Sequence, residues 1–455
     1  MLSQLKQGMP GHFHPRFLRS CLILRMSAVI LFVVSGTAYA DPLIGDSAAA
    51  YSTADAAEAN PANAAFLDYT QFSYAAEILK SDSIDIRYPN FTPTTLTSSG
   101  VATPLNKPGF IWRANPQISL GAILVPPLPV PISIKKNRVP VIVVGTQNYV
   151  DLTVAAKVRG IGTATFAYRV SDRLGLGIGA NLLALSFTAK MVPSSGGTPL
   201  ADLDGSVRQL AIVLGARFVA IPGTLQLGLA ATVLSQDSKV LNVSSPFVAG
   251  GSASDPAQRD GSKSQAFQTL SSVLLGSQIA ISPRVRLLAD IRYTRADKSQ
   301  VSFSLVTLKK GTQDLHDTLS VRTGTLVNMT SHLNLLLGFR YEPSSIGPGS
   351  RGDTPLVGFG TVNLVEILAG LAPITPYTMI AAGVQIGLMP SHYNQLSRGG
   401  KLDKKSQNSP PYFKLLLESG VAYSYASIGI DKTGELPGTY VYRKIGIPVG
   451  IIYRF

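Results

Sequence analysis

The stretch RLGLGIGANLLALSF at residues 173–187 decides the fold class, because its residue types alternate with a period of two. On an extended strand, successive side chains point to opposite faces. One face carries leucine, isoleucine and alanine at the even positions 174–184, and the other begins with Gly175, Gly177 and Gly179. The pattern predicts a β-strand with one apolar face and one glycine-rich face.

Three further segments, 225–233, 285–293 and 333–341, show the same alternation. The apolar faces are formed by Leu225, Leu227, Leu229, Ala231 and Val233, by Val285, Leu287, Ala289, Ile291 and Tyr293, and by Leu333, Leu335, Leu337, Phe339 and Tyr341. The opposite faces of the last two segments combine arginines with acids or amides, namely Arg286, Asp290 and Arg292, and Asn334 and Arg340.

The length of the alternation separates two all-β architectures. A soluble β-sandwich also alternates, but its strands run to about five or six residues. Here the pattern lasts nine to eleven residues, which is the length that a tilted strand needs to cross a bilayer. We therefore predict an all-β fold, a transmembrane antiparallel β-barrel with its apolar faces toward lipid.

One segment offers a competing interpretation. Residues 364–389, LVEILAGLAPITPYTMIAAGVQIGLM, are almost wholly apolar and resemble a helix that crosses an inner membrane. Pro373 and Pro376 interrupt the middle, however, and three glycines lower the helix propensity. Two strands joined by a tight turn at PITP, residues 373–376, fit better.

The two ends of the chain predict its compartment. Residues 1–25 contain four basic and no acidic residues, an apolar run follows at 26–34, and small residues precede position 41, so we predict a signal peptide over 1–40. Cys21 does not indicate a lipoprotein, because the apolar run lies after it. The last strand, KIGIPVGIIYRF, ends at Phe455, the form that outer-membrane barrels present to their assembly machinery. We expect the outer membrane of a Gram-negative bacterium.

Composition excludes several kinds of chemistry. Residues 41–455 contain no cysteine, and their histidines, His316, His332 and His392, lack the spacing of a metal site. No Gly-x-Ser-x-Gly motif occurs. We therefore expect no enzyme, no metal and no cofactor, and the net charge of +14 alone does not support nucleic-acid binding.

The connections between the predicted strands are uneven in length. Four are long and rich in Pro, Gly, Ser or Lys, at 125–140, 244–265, 342–355 and 396–411, whereas others are tight turns. Such asymmetry is typical of bacterial barrels. Lysines in these loops would contact anionic lipopolysaccharide or simply face solvent.

The segment GDSAAAYSTADAAEANPANAAF, residues 45–66, consists mainly of small residues and includes Pro61. A large barrel encloses a lumen that conducts water unless something fills it. We predict that residues 41–68 form a hatch inside the lumen, with Asp55, Glu58 and Asn60 meeting arginines of the wall. A pro-region or a disordered tail is the alternative.

This segment resembles the N-terminal hatch of the FadL/TodX family of outer-membrane transporters for long-chain fatty acids and hydrocarbons. The similarity lies in Asp55-Ala56-Ala57 and in Asn60-Pro61-Ala62. Weaker similarity covers 166–187, 317–346 and the terminal Tyr-Arg-Phe. The chain departs from the family at Asn63, where glycine is usual, and in its proline-rich segment 125–140.

The resemblance implies about 14 strands, residues 69–455, closed around the hatch. It also implies passive uptake of a hydrophobic small molecule, with release through a hatch shift or a lateral opening in the wall. For a fatty acid, Arg286, Arg292 and Arg340 are the candidate partners of the carboxylate; the alternative is that each makes a structural ion pair, with Asp290 or with acids of the hatch. A general or anion-selective porin, an outer-membrane enzyme and an adhesive barrel are the other functions considered.

Overall fold

The computed structural model describes residues 49, 57, 59–87, 94–97, 107–125, 132–143, 146–197, 201–244, 259–295, 301–303, 310–312, 316–343, 377–391, 412–430 and 438–455. The predicted signal peptide, most of segment 41–68 and residues 364–376 lie outside these ranges. None of the helices in the described part of the chain is long and apolar enough to span a bilayer.

The described chain forms a short 3-10 helix, Pro61–Phe66, followed by eighteen strands. The strands are β1 Gln71–Arg87, β2 Thr94–Thr97, β3 Lys107–Arg113, β4 Ile118–Val125, β5 Ile132–Val143, β6 Thr146–Arg169, β7 Leu174–Pro193, β8 Ala201–Ile221, β9 Leu225–Ser244, β10 Arg259–Ala280, β11 Val285–Thr294, β12 Val301–Phe303, β13 Lys310–Thr312, β14 Thr318–Asn328, β15 Leu333–Glu342, β16 Tyr377–Ser391, β17 Tyr412–Ile430 and β18 Gly438–Arg454.

Fourteen of these strands close into an antiparallel barrel. The ring runs β1-β3-β4-β6-β7-β8-β9-β10-β11-β14-β15-β16-β17-β18, and β18 pairs with β1 along nearly its whole length, from Gln71–Arg454 to Arg87–Thr439. β2 pairs with the far half of β1, β5 pairs with the first half of β6, and β12 with β13 forms a separate hairpin. The predicted fold class and strand number are confirmed.

The two faces of the wall have the predicted character. In β7, Leu176, Ile178 and Leu182 are exposed on the outside, whereas Gly175 and Gly179 are buried on the inside. β11 and β15 repeat this arrangement, with exposed apolar residues alternating with partly buried polar ones. Such a belt of exposed apolar side chains is stable only against lipid.

Aromatic residues border the apolar belt at both ends. Trp112, Tyr168 and Phe218 are exposed close to the tight turns, and Tyr293 and Tyr341 are exposed at the opposite ends of their strands. Aromatic girdles at the two membrane interfaces are typical of transmembrane barrels. The apolar belt is therefore bounded as a membrane-spanning surface would be.

Tight turns gather at one end of the barrel, between β3 and β4, β6 and β7, β8 and β9, β10 and β11, and β14 and β15. Side-chain oxygens satisfy the turn backbone, as where Asn115 Oδ1 accepts from the N–H of Gln117 and of Ile118, both at 2.8 Å. Both ends of the barrel chain lie here, because the N–H of Phe455 donates to the carbonyl of Thr70 at 2.9 Å.

Two predictions about long loops were wrong in part. Residues 132–140 belong to β5, and residues 259–265 belong to β10, because their polar residues form strands that extend past the apolar belt. The connection at 396–411 joins β16 to β17, and the strand directions place its two ends with the tight turns rather than with the other long loops. Segment 364–389 was expected to form two strands rather than a membrane helix. β16 confirms the second of these strands, and the first lies outside the described residues.

The wall is uneven in height. β6 to β10 have 20 to 24 residues each, whereas β11, β14 and β15 have only 10 or 11. All these strands start or end at the tight turns, so the long strands extend roughly 30 to 45 Å farther from the turns, measured along the strand, than the short strands do. β3 and β4 are shorter still, with 7 and 8 residues, but β2 and β5 extend the sheet on the flanking strands β1 and β6. We call the described ends of β11, β14 and β15 that lie away from the tight turns the low rim.

Candidate functional site

The 3-10 helix lies against the inner face of β6, β7 and β8. Asn60 caps its start, because the Asn60 Oδ1 accepts from the N–H of Ala62 at 3.1 Å. The Asn60 side chain is completely buried, and its Nδ2 donates to the carbonyl of Ala216 on β8 at 3.1 Å. Pro61 suits the first helical position, where no N–H is needed. Asn60 thus ties this segment to the wall.

Glycines of the wall make room for the helix. A Cβ added to Gly177 would lie 2.5 Å from the Ala62 nitrogen and from the Pro61 carbonyl carbon, and one added to Gly175 would lie 2.6 Å from the Phe66 ring. A Cβ at Gly215 would overlap the Asn60 side chain. The inner face is therefore rich in glycine here because a backbone approaches it closely.

Arginines of the wall stack on Phe66, the last residue of the helix, and on Tyr69, which follows it. The Arg217 guanidinium lies 4.9 Å from the Phe66 ring centre, and that of Arg169 lies 5.4 Å from the same ring. Arg454 lies 4.6 Å from the ring centre of Tyr69. Cation–π contacts of this kind are strongest where water is excluded, and Arg217 is 1% exposed.

An acid next to the helix completes this cluster. Asp68 Oδ1 lies 3.2 Å from a guanidinium nitrogen of Arg113 and 3.5 Å from one of Arg169. Among the described residues, Asp68 is thus an acid that meets arginines of the wall. The sequence analysis did not single it out; its position three residues before β1 was the available signal. Asp55 and Glu58 lie outside the described residues, and Asn60, Pro61 and Ala62 lie against β7 and β8.

A second cluster of charges lies on the inner face at the low rim. The strand register places Arg292 opposite Ser320, Asp290 opposite Arg322, and Arg322 opposite Arg340. These residues alternate with exposed outward side chains on each strand. The register thus brings three arginines of β11, β14 and β15 together.

Glu342 holds two of these arginines. Its Oε1 accepts from Arg340 Nε at 2.5 Å and also contacts Arg340 Nη2, and it lies 3.5 Å from Arg322 Nη2. Two like charges placed directly opposite on neighbouring strands destabilise a sheet. One shared carboxylate offsets this repulsion.

The predicted carboxylate partners separate into two places. Arg292 and Arg340 flank β14 in this cluster, whereas Arg286 pairs with Leu326 six residues farther toward the tight turns, about 20 Å away along the strand. Sequence reasoning missed Arg322 and Glu342. Glu342 was visible as the next same-face residue after Arg340, but the meeting of Arg322 with Arg340 depends on the register.

A third polar group crosses the wall from β15 to β17. Asn334 Nδ2 donates to Gln385 Oε1 at 2.7 Å, and Gln385 Nε2 donates to Glu418 Oε1 at 2.5 Å. The three residues are direct cross-strand partners. Each polar group thereby gains a partner on the inner face.

The histidines do not form a metal site within the described ranges. No group of three or more His, Cys, Asp or Glu side chains is placed to hold a metal ion there. His332 lies in a tight turn, where its Nδ1 is 3.4 Å from the Gly387 carbonyl and its ring is tilted by 57° against that of Phe413, with the ring centres 4.9 Å apart. His316 is exposed, and His392 lies outside the described residues.

Comparison with known proteins shows a shared fold. No protein-family model and no curated protein sequence matches the chain. A Pseudomonas aeruginosa FadL homologue matches with 13% identity and a TM-score of 0.55, over 92% of this chain and 97% of the other. The P. putida toluene transporter TodX matches with 14% identity and a TM-score of 0.56, over 92% and 99%. A TodX deltaS2S3 mutant, a monoaromatic hydrocarbon channel, matches with 14% identity and a TM-score of 0.53, over 91% and 97%.

Proposed function

We propose that this chain, which has the fold of the FadL and TodX barrels, is an outer-membrane channel for the passive uptake of hydrophobic compounds. One observation carries the proposal: a closed ring of fourteen strands with an apolar outer belt holds the segment Asn60–Phe66 against its inner face. The belt suits a bilayer, and a segment inside the ring opposes free flow of water and ions.

A partly filled lumen favours transport by binding over transport by bulk diffusion. A hydrophobic molecule that enters such a barrel moves between sites, and only its concentration gradient and the difference in affinity between sites are needed to drive it. A wide aqueous pore would not select for such a molecule. The packing of Asn60–Phe66 therefore supports a selective channel more than a general porin.

For the class of ligand, we propose a compound with a carboxylate head group, such as a long-chain fatty acid. The support is electrostatic: Arg292 and Arg340 face inward near the low rim, together with Arg322. A neutral hydrocarbon would leave these guanidinium groups without a role in binding. Arg286 remains a separate candidate, closer to the tight turns.

We also propose the following assignments for the segments of the chain and its partners. Residues 1–40 act as a signal peptide, 41–68 as the hatch and 69–455 as the barrel. The exposed terminal Phe455 presents the last strand to the assembly machinery. In the outer membrane, the outer surface of the long strands contacts lipid and lipopolysaccharide, and the ligand is the only small molecule required.

Uptake by cells tests the function. A strain that lacks the gene, with and without a plasmid copy, is given labelled dodecanoate and labelled dodecane at limiting concentration. We expect the plasmid copy to raise the initial rate of dodecanoate uptake. Equal rates in both strains for both compounds would contradict the proposed function, and a rise for dodecane alone would contradict the carboxylate ligand.

Conductance of the purified protein separates the proposal from an anion-selective porin, which the inward arginines would also suit. In planar bilayers, we expect the intact chain to show no steady single-channel current. A stable, salt-dependent conductance would instead support the porin.

A further inference from the structure

The cluster of Arg322, Arg340 and Glu342 has more donors than acceptors. Arg340 places its Nε and Nη2 on Glu342, but Arg322 reaches the same carboxylate only through a 3.5 Å ion pair at Nη2. The Nε of Arg322 is buried and has no hydrogen-bond partner among the described residues. A buried donor without an acceptor is costly, and proteins usually supply one.

The net charge of the cluster also indicates that an anionic acceptor is missing. On β11, β14 and β15, the inward-facing residues near the low rim include three arginines, Arg292, Arg322 and Arg340, and two acids, Asp290 and Glu342. One positive charge is left over within this described group. A guanidinium that offers Nε and Nη2 side by side matches the two oxygens of a carboxylate.

The three side chains of this cluster are partly accessible. The Arg322 and Arg340 side chains retain 17% and 19% of their exposure, and Glu342 retains 12%. The next inward residues toward the tight turns on the two strands are Gly324 and Gly338, which project no side chain into the lumen. A ligand can thus approach Arg322 from inside the barrel.

We propose that Arg322 is the specificity-determining residue for the ligand's head group, and that Glu342 competes with the ligand for it. A carboxylate inside the barrel accepts from Arg322 Nη2, and from Nε once the side chain rotates toward the lumen, while Glu342 stays on Arg340. The competing acid keeps the empty site neutral enough to be stable and weakens binding enough for release. This inference rests on the proposed function and names the residues that select a carboxylate.

Two substitutions with opposite expected effects test the inference. Arg322→Met removes the donor edge, and Glu342→Gln removes the competing charge while keeping the size of the side chain. Binding is measured on the purified full chain in lipid nanodiscs by equilibrium dialysis of labelled dodecanoate and labelled dodecanol. These probes have equal chain length and differ in the charge of the head group.

We expect R322M to weaken dodecanoate binding about tenfold, the usual effect of losing hydrogen bonds to a charged group, and to leave dodecanol binding unchanged. E342Q should strengthen dodecanoate binding and also leave dodecanol unchanged. Arg322→Lys, which keeps the charge but not the paired donors, should recover only part of the loss. Arg208→Met is the matched control, because Arg208 is exposed on the same face of β8 as the outward Leu210.

The outcomes that overturn the inference are distinct from failure of the proposed function. If R322M and E342Q shift both probes equally, or if E342Q weakens dodecanoate binding, Arg322 and Glu342 do not select the head group. If neither probe binds the unsubstituted chain, the proposed function fails instead. A misfolded variant is recognised beforehand by loss of the change in gel mobility on heating, and R322K then replaces R322M as the deciding variant.

Discussion

At the residue scale, the structural role of the inner-face glycines cannot be inferred from composition alone. The alternation predicts that Gly175 and Gly177 share the inner face, and the structure confirms it. It does not predict that the Pro61–Phe66 backbone lies against them, because that contact joins residues more than a hundred positions apart. The local sequence pattern determines which residues lie on the inner face, and tertiary packing determines what these residues contact.

Gly177→Ala should therefore disturb the helix without disturbing the barrel. The new Cβ would lie 2.5 Å from two backbone atoms of the segment, neither of which can move aside as a flexible side chain would. We expect a folded barrel with increased conductance in planar bilayers. Gly162→Ala is the control, because its nearest neighbour would be 3.8 Å away; equal currents from both variants would show that the close approach does not hold the segment.

The pair of Arg217 and Phe66 should be energetically coupled. Their 4.9 Å stacking is buried, and Arg217 also hydrogen-bonds Gln226. In a double-mutant cycle with Arg217→Met and Phe66→Leu, we expect a coupling free energy of about 1 kcal/mol. Urea unfolding from lipid vesicles measures it. Strictly additive effects would mean that Arg217 and Phe66 stabilise the protein independently of each other.

At the element scale, strand existence and facing were predictable, but register was not. The period of two in segments 285–293 and 333–341 places Arg292 and Arg340 on the inner face, as observed. Whether they meet depends on β14 lying between them and on Arg322 falling opposite Arg340. Register follows from turn geometry and from pairing along whole strands, so one sequence does not reveal it.

The uneven strand lengths escaped prediction for a related reason. The polar ends of β5 and β10 lie beyond the apolar belt, where neither face of the strand needs to be apolar. The alternation therefore fades, and Pro, Gly, Ser and Lys in 125–140 and 244–265 are typical of loops. Pairing with the neighbouring strand nevertheless keeps these segments extended.

A disulfide tests where the 3-10 helix lies relative to β7. A Cβ at Gly175 would lie 2.9 Å from the Ala65 Cβ, so a shift of about 1 Å reaches disulfide geometry. Because residues 41–455 contain no cysteine, Ala65→Cys with Gly175→Cys should form one bond on mild oxidation, seen as a faster band on a non-reducing gel. Ala65→Cys with Gly197→Cys should not, since nothing lies within 4 Å of a Cβ at Gly197. Failure of the first pair to cross-link would mean that the helix does not lie against β7.

At the scale of the whole molecule, closure of the strand ring encloses a lumen, with one face of each alternating strand directed into it. A fourteen-strand ring has an inside that side chains alone do not fill, and the described segment Asn60–Phe66 occupies part of it beside β6 to β8. The sequence predicted this arrangement through the small residues of 45–66 and through its family resemblance. The described residues Asn60–Phe66 lie against the inner face of the wall, and the hatch at 41–68 stays a prediction.

Deleting residues 45–66 should convert the closed barrel into an open pore. The wall strands begin at Gln71, and the ring closes through β1 and β18 without help from the deleted segment, so the variant should still show heat-dependent gel mobility. We expect steady conductance in planar bilayers where the intact chain shows none. The pore should prefer anions, because Arg292, Arg322 and Arg340 outnumber Asp290 and Glu342 on the inner face near the low rim, and the reversal potential in a potassium chloride gradient measures that preference. A folded deletion variant that stays closed would mean that another part of the chain fills the lumen, whereas an open pore that prefers cations would contradict the excess of positive charge inside.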